Sequence, residues 1–143
     1  MKTNVMRMLA LLMALACVLA LTGCGAKEVE AEGLWADALY QSDEEFGEGG
    51  KTVTVEVKAE EKTVVFTIHT DAETVGDALL DHELIDGDES EYGLYVKVVN
   101  GITADYDVDA SYWAFYVNGE YAMSGVDATE IDETAVYQLA YTK

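Results

Sequence analysis

Half of the 143 residues are apolar, enough to pack one domain, and 28 acidic residues against 8 basic ones set a net charge of −20. Such a surface repels phosphate backbones and anionic headgroups, which excludes nucleic acid as a partner and flat adsorption to a bilayer. Cys17 and Cys24 are the only cysteines, so nothing beyond them can form a disulfide, a thiol nucleophile or a zinc thiolate site.

The first stretch reads as a leader. Lys2 and Arg7 precede an apolar run over 8–21, and Leu21-Thr22-Gly23-Cys24 closes it with small residues ending at a cysteine. This is the pattern of a lipoprotein signal peptide over 1–23, cut so that Cys24 becomes the first residue and carries lipid on its sulfur and amine. A transmembrane anchor is the competing reading, but a span takes about 20 apolar residues. The expected place is the bacterial cell envelope, at the outer face of the cytoplasmic membrane, with the lipid bilayer as partner through Cys24. Removing Lys2 and Arg7 with the leader leaves 6 basic residues against 28 acidic ones, a net −22.

Residues 24–50 are rich in Glu, Gly and Ala and read as a tether. The piece 34–40 contains Trp35 and Tyr40, odd residues for a linker, and is expected to dock on the domain as a short edge strand. From 51 on the chain reads as a domain. Val53, Val55 and Val57 alternate with Thr54, Glu56 and Lys58, and Val64, Phe66 and Ile68 answer them, which predicts a hairpin turning at 59–61.

The period then changes. Val75, Ala78, Leu79 and His82 fall on one face of a helix that stops near Ile85, with Thr74 and Asp77 set for a reciprocal capping box. Gly76 in the first turn costs about 1 kcal/mol against Ala, so close packing is expected there. Asp86-Gly87-Asp88-Glu89 reads as turn and exposed acidic loop. A strand over 92–99 follows, and Asn100-Gly101 turns it back through 102–104.

Asp105, Asp107 and Asp109 open like a calcium loop, but Ala110 and Tyr116 stand where the turn Gly and the bidentate Glu belong. They read instead as a solvated, extended acidic edge. Next comes 111–127, a hairpin about Asn118-Gly119 whose first strand is apolar or aromatic on both faces. Two such faces mean cover on both sides or a surface for a ligand. Tyr112, Trp113, Phe115, Tyr116 and Tyr121 are the candidate ligand wall, with Tyr95 added from the preceding strand. A strand over 135–141 closes the chain. Hairpin, one helix, then a β-rich half predict an α+β, β-grasp-like domain over 51–143, a mixed twisted sheet of β-hairpins packed on a single helix.

No catalytic constellation emerges. His69 and His82 are the only histidines, and a strand end and a helix face suit structural imidazoles, so the expectation is a protein that is not an enzyme.

Several segments resemble a bacterial lipoprotein family described as transcobalamin-like, C-terminal, also called DUF4430. They are Thr74-Val75-Gly76-Asp77-Ala78-Leu79-Leu80, Tyr92-Gly93-Leu94-Tyr95-Val96 with Asn100-Gly101, Tyr112-Trp113 through Val117-Asn118-Gly119, and Gly125-Val126. The family is similar to the smaller, C-terminal domain of cobalamin carriers. That resemblance implies a ligand-binding β-grasp domain, with a corrinoid as candidate ligand and a membrane transporter as the partner that receives it. The other reading is a non-enzymatic surface module that binds protein or cell-wall polymer through a sheet edge or the aromatic face.

Overall fold

A computed structural model describes residues 31–143. The leader over 1–23 and Cys24 lie outside the described residues. The described part is an α+β unit with two sheets, two short helices and two 3-10 turns.

The hairpin of alternating valines forms as its pattern requires. Strands β2 (Lys51–Ala59) and β3 (Lys62–Thr70) pair antiparallel, with Val55 opposite Phe66 and Val57 opposite Val64. Val53, Val55, Val57, Phe66 and Ile68 are fully buried, each worth about 1.5–3 kcal/mol by removal from water. Strand β9 (Val136–Thr142) lies parallel to β2, and β7 (Tyr112–Val117) lies antiparallel to β9. With β1 (Glu44–Phe46) parallel to β3, and β8 (Glu120–Tyr121) beyond β7, the first sheet runs β1-β3-β2-β9-β7-β8.

A second sheet of three strands stands apart from it: β4 (Ile85–Ser90), β5 (Gly93–Val99) and β6 (Ile102–Thr103). The single mixed sheet expected from the sequence is therefore two. The residues expected as a turn, Asp86-Gly87-Asp88-Glu89, lie in β4. The register of β4 on β5 slips between Asp86 and Gly87. At Gly87 a Cβ would collide with the Tyr95 carbonyl oxygen, so glycine serves the pairing rather than ending it.

Helix α1 (Val75–Asp81) is shorter than its apolar period suggests. Thr74 caps it, its hydroxyl accepting from the Asp77 N–H at 3.1 Å, which is one half of the expected box. The helix stops because His82 leaves helical geometry and Glu83 takes φ 56°. His82 is consequently a half-buried capping residue whose ring tilts on Phe46 at 5.5 Å, not a member of the buried face. Gly76 packs as closely as expected: a Cβ there would lie 2.8 Å from the Asp127 backbone in the 3-10 turn Val126–Ala128.

The segment expected as a tether is part of the fold from residue 33 onward. Its docked piece is a 3-10 turn (Gly33–Asp37), not a strand, and it buries Trp35, whose Nε1 donates to the Ala59 carbonyl at 2.9 Å. The edge strand comes later, as β1. Tyr40, Phe46 and Phe66 meet edge to face at 5.1 to 5.9 Å. The acidic stretch also differs from expectation: helix α2 (Tyr106–Asp109) replaces an extended edge, capped by the Asp105 carboxylate on the Asp107 N–H and ended by Ala110 at φ 62°. A single packed helix thus does not describe this molecule.

Candidate functional site

Asn118 and Gly119 both take positive φ, 50° and 82°, as a type I′ turn requires, so the aromatic hairpin forms where the sequence placed it. Alternation along β7 sends Trp113 and Phe115 to the core side, where they are 7% and 9% exposed. Trp113 donates its Nε1 to the Ile102 carbonyl at 3.2 Å and meets Tyr141 edge to face, while Phe115 stacks on Tyr137 at 6.1 Å. These two rings are mostly structural. Only their outer edges remain free.

Those edges form the floor of a cleft of about 320 Å³ between β7 and β5. Leu94 and Val96 of β5 give its aliphatic wall, and Tyr95, Tyr112, Tyr121 and Met123 give its rim. Exposure separates floor from rim: Tyr95 is 41% exposed, Tyr121 61% and Met123 99%. Of the six wall residues expected from the sequence, the structure gathers Tyr95, Tyr112, Trp113, Phe115 and Tyr121. Tyr116 stays out of the cleft and meets Tyr121 edge to face at 5.6 Å. Its side chain points away from the face that Trp113 and Phe115 present, and unlike Tyr112, which shares that parity, it does not line the cleft.

Two contributors had no signal strong enough to find them in advance. Met123 is an isolated apolar residue after the hairpin, and a polarisable thioether at an open rim adapts to varied ligand shapes. Asp127 ties the two sides together. Its Oδ2 accepts from the Leu94 N–H at 3.0 Å, and Gly93 and Gly125 leave room for the carboxylate, since a Cβ on either would sit within 3.0 Å of it. The Asp127 Oδ1 is buried without a hydrogen-bond partner.

Tyr95 also borders a second hollow of about 360 Å³, lined by Asp88, Asp105, Asp107, Tyr106 and Lys97. Lys97 donates to Asp88 at 2.7 Å and lies 5.9 Å from the Tyr95 ring centre. That hydrogen bond and the Asp88 charge, helped by Asp105 and Asp107, hold the Lys97 ammonium above its ordinary pKa. Asp109 is drawn elsewhere. The Ser111 hydroxyl donates to it and Lys143 lies 3.2 Å away, so its carboxyl sits below the usual carboxylate range. The three aspartates therefore do not share one face. Among the described residues no group of three or more His, Cys, Asp or Glu side chains converges as a metal site requires.

The nine tyrosines divide between packing and rim. Tyr137 is buried and fully used, accepting from the Asp132 N–H at 2.8 Å and donating to the Glu130 carbonyl. Tyr40 packs in the β1 aromatic cluster.

A family model described as "Domain of unknown function (DUF4430)" matches residues 72–143. A solved protein from Ruminococcus gnavus ATCC 29149, provisionally described as a metal binding protein, is 30% identical with a TM-score of 0.62 over 66% of this chain and 98% of its own. Haptocorrin, solved in complex with Cbi, aligns at 15% identity and a TM-score of 0.53 over 68% of this chain. The match spans 26% of the haptocorrin chain, so what is similar is the fold of one part of it. Among curated protein sequences no significant match is found.

Proposed function

This chain belongs to the DUF4430 family, and on that footing we propose that it is a membrane-tethered, extracytoplasmic binding protein that holds a small amphipathic ligand in the cleft between β5 and β7. The observation that carries the reading is the cleft itself. A buried aromatic floor, an aliphatic wall and an exposed Tyr and Met rim are what a partly apolar ligand needs, and the cleft volume lies at the lower end of small-molecule sites. The likeness to haptocorrin supports a corrinoid as the candidate ligand. It also supports a β-grasp-like description, for which the hairpin β2-β3, the helix after it and the parallel pairing of β2 with β9 argue.

The tether is proposed on the sequence of residues 1–24, with lipid on Cys24 placing the domain at the outer face of the cytoplasmic membrane and a transporter receiving the ligand. No catalytic role is proposed, because the His69 ring is engaged by Thr52 and Glu45 and the His82 ring by Phe46. Calorimetric titration with dicyanocobinamide tests the reading. Binding is expected, weakened at least tenfold in the rim double variant Tyr121→Ala/Met123→Ala, whose side chains are too exposed to disturb the fold. Absence of saturable heat at about 100 μM, which would leave less than about 5.5 kcal/mol of binding free energy, rejects the corrinoid.

A further inference from the structure

Asn118 donates its N–H to the Val136 carbonyl at 2.8 Å, which sets the hydrogen-bonding phase of β7. Counting back from it by twos, Tyr116, Ala114 and Tyr112 turn their backbone groups toward β9, while Val117, Phe115 and Trp113 turn theirs toward the opposite edge. On that edge β8 pairs only with Tyr116 and Val117, and one more bond, from the Ala122 N–H to the Phe115 carbonyl at 2.9 Å, prolongs the ladder. Beyond Ala122 the chain leaves β7 and crosses to β5. Among the described residues the Phe115 N–H and the Trp113 N–H and C=O therefore have no ladder partner, although both residues are nearly buried. A strand edge with backbone donors and an acceptor left out of the ladder is a template for another strand.

We propose that the cleft captures an extended peptide by adding it to β7 as a strand, a capability beyond small-ligand binding though it uses the same opening. Donor, acceptor and donor along Phe115 and Trp113 meet about three residues of peptide, with a rise of about 3.3 Å per residue. Alternate side chains of that peptide enter between Leu94, Val96 and Phe115, and so must be apolar. The others face outward on a molecule of net charge −20, whose neighbouring hollow beyond Tyr95 holds Asp88, Asp105 and Asp107 against Lys97, and so are basic.

The test uses the full-length protein and the peptide acetyl-Lys-Val-Lys-Val-Lys-amide, an N-methyl scan of its three central residues, and its Glu-for-Lys counterpart. Binding of the parent is expected, with at least a tenfold loss for one N-methyl position, weaker binding of the acidic peptide, and slowed hydrogen exchange at the Trp113 and Phe115 amides on binding. Equal binding of every N-methyl peptide, no saturable binding of the parent, or Trp113 and Phe115 amides already protected in the free protein overturns strand addition. Dicyanocobinamide binding is measured separately, so the small-ligand reading stands or falls on its own.

Discussion

Asn100 is fully buried, has φ 51°, and grips the Tyr40 backbone at both ends: its Oδ1 accepts from the Tyr40 N–H and its Nδ2 donates to the Tyr40 carbonyl, each at 2.9 Å. The Asn-Gly turn was legible, because that pair suits positive φ. The grip on Tyr40 was not, because the partners are sixty residues apart and nothing in a local pattern links them. Asn100→Ala should destabilise the protein by about 2–4 kcal/mol in urea unfolding, through two stranded backbone groups and a strained backbone. Asn100→Gly should cost about 1–2 kcal/mol less than Asn100→Ala, because glycine accepts the conformation and loses only the hydrogen bonds. Equal losses in the two variants would mean that the backbone conformation contributes nothing. At the cleft, residue types announced aromatic capacity, but only coordinates could show that Trp113 and Phe115 are largely committed to the core.

At the scale of elements, the two-residue period gave hairpins their true places, since alternation and Asn-Gly turns act locally. It failed for β4, where Asp86, Gly87 and Asp88 have turn chemistry but are enlisted by β5, and for α2, whose acidic residues cap one another over a single turn. Helix α1 shows a competition between local and tertiary terms. Replacing Gly76 by alanine would favour the helix by about 1 kcal/mol in isolation. Against the Asp127 backbone the added methyl meets atoms 2.8 Å away that no rotamer can clear. Overpacking of that kind costs about 1–3 kcal/mol, so Gly76→Ala is expected to lower the thermal midpoint. A raised midpoint would show that the turn over Val126–Ala128 yields. That turn carries Asp127, so its displacement should also be visible as a shifted Leu94 amide resonance.

For the whole molecule, the excess of carboxylates decides behaviour in solution more than any ion pair does. Two Lys–Asp ion pairs and a His69–Glu45 contact are seen among the described residues, all with exposed acidic partners, and water screens such pairs so that they contribute little. Repulsion within a net charge of −20 opposes the compact state. Raising sodium chloride from about 0.01 M to 0.5 M, which shortens the screening length severalfold, is therefore expected to raise the thermal midpoint. A midpoint that falls with salt would mean that attractive pairs outweigh the repulsion. This balance was legible from composition alone, because net charge is a sum over residues and does not depend on the fold.

The strand that joins the two halves of the larger sheet is β9, which lies between β2 and β7 and follows every other described strand in the chain. A ribosome must deliver this keystone before the early hairpin and the aromatic ribbon can be seated side by side. Until then the nascent chain has two unfinished flanks and no shared backbone ladder, a condition in which it can still be threaded rather than carried as a finished body.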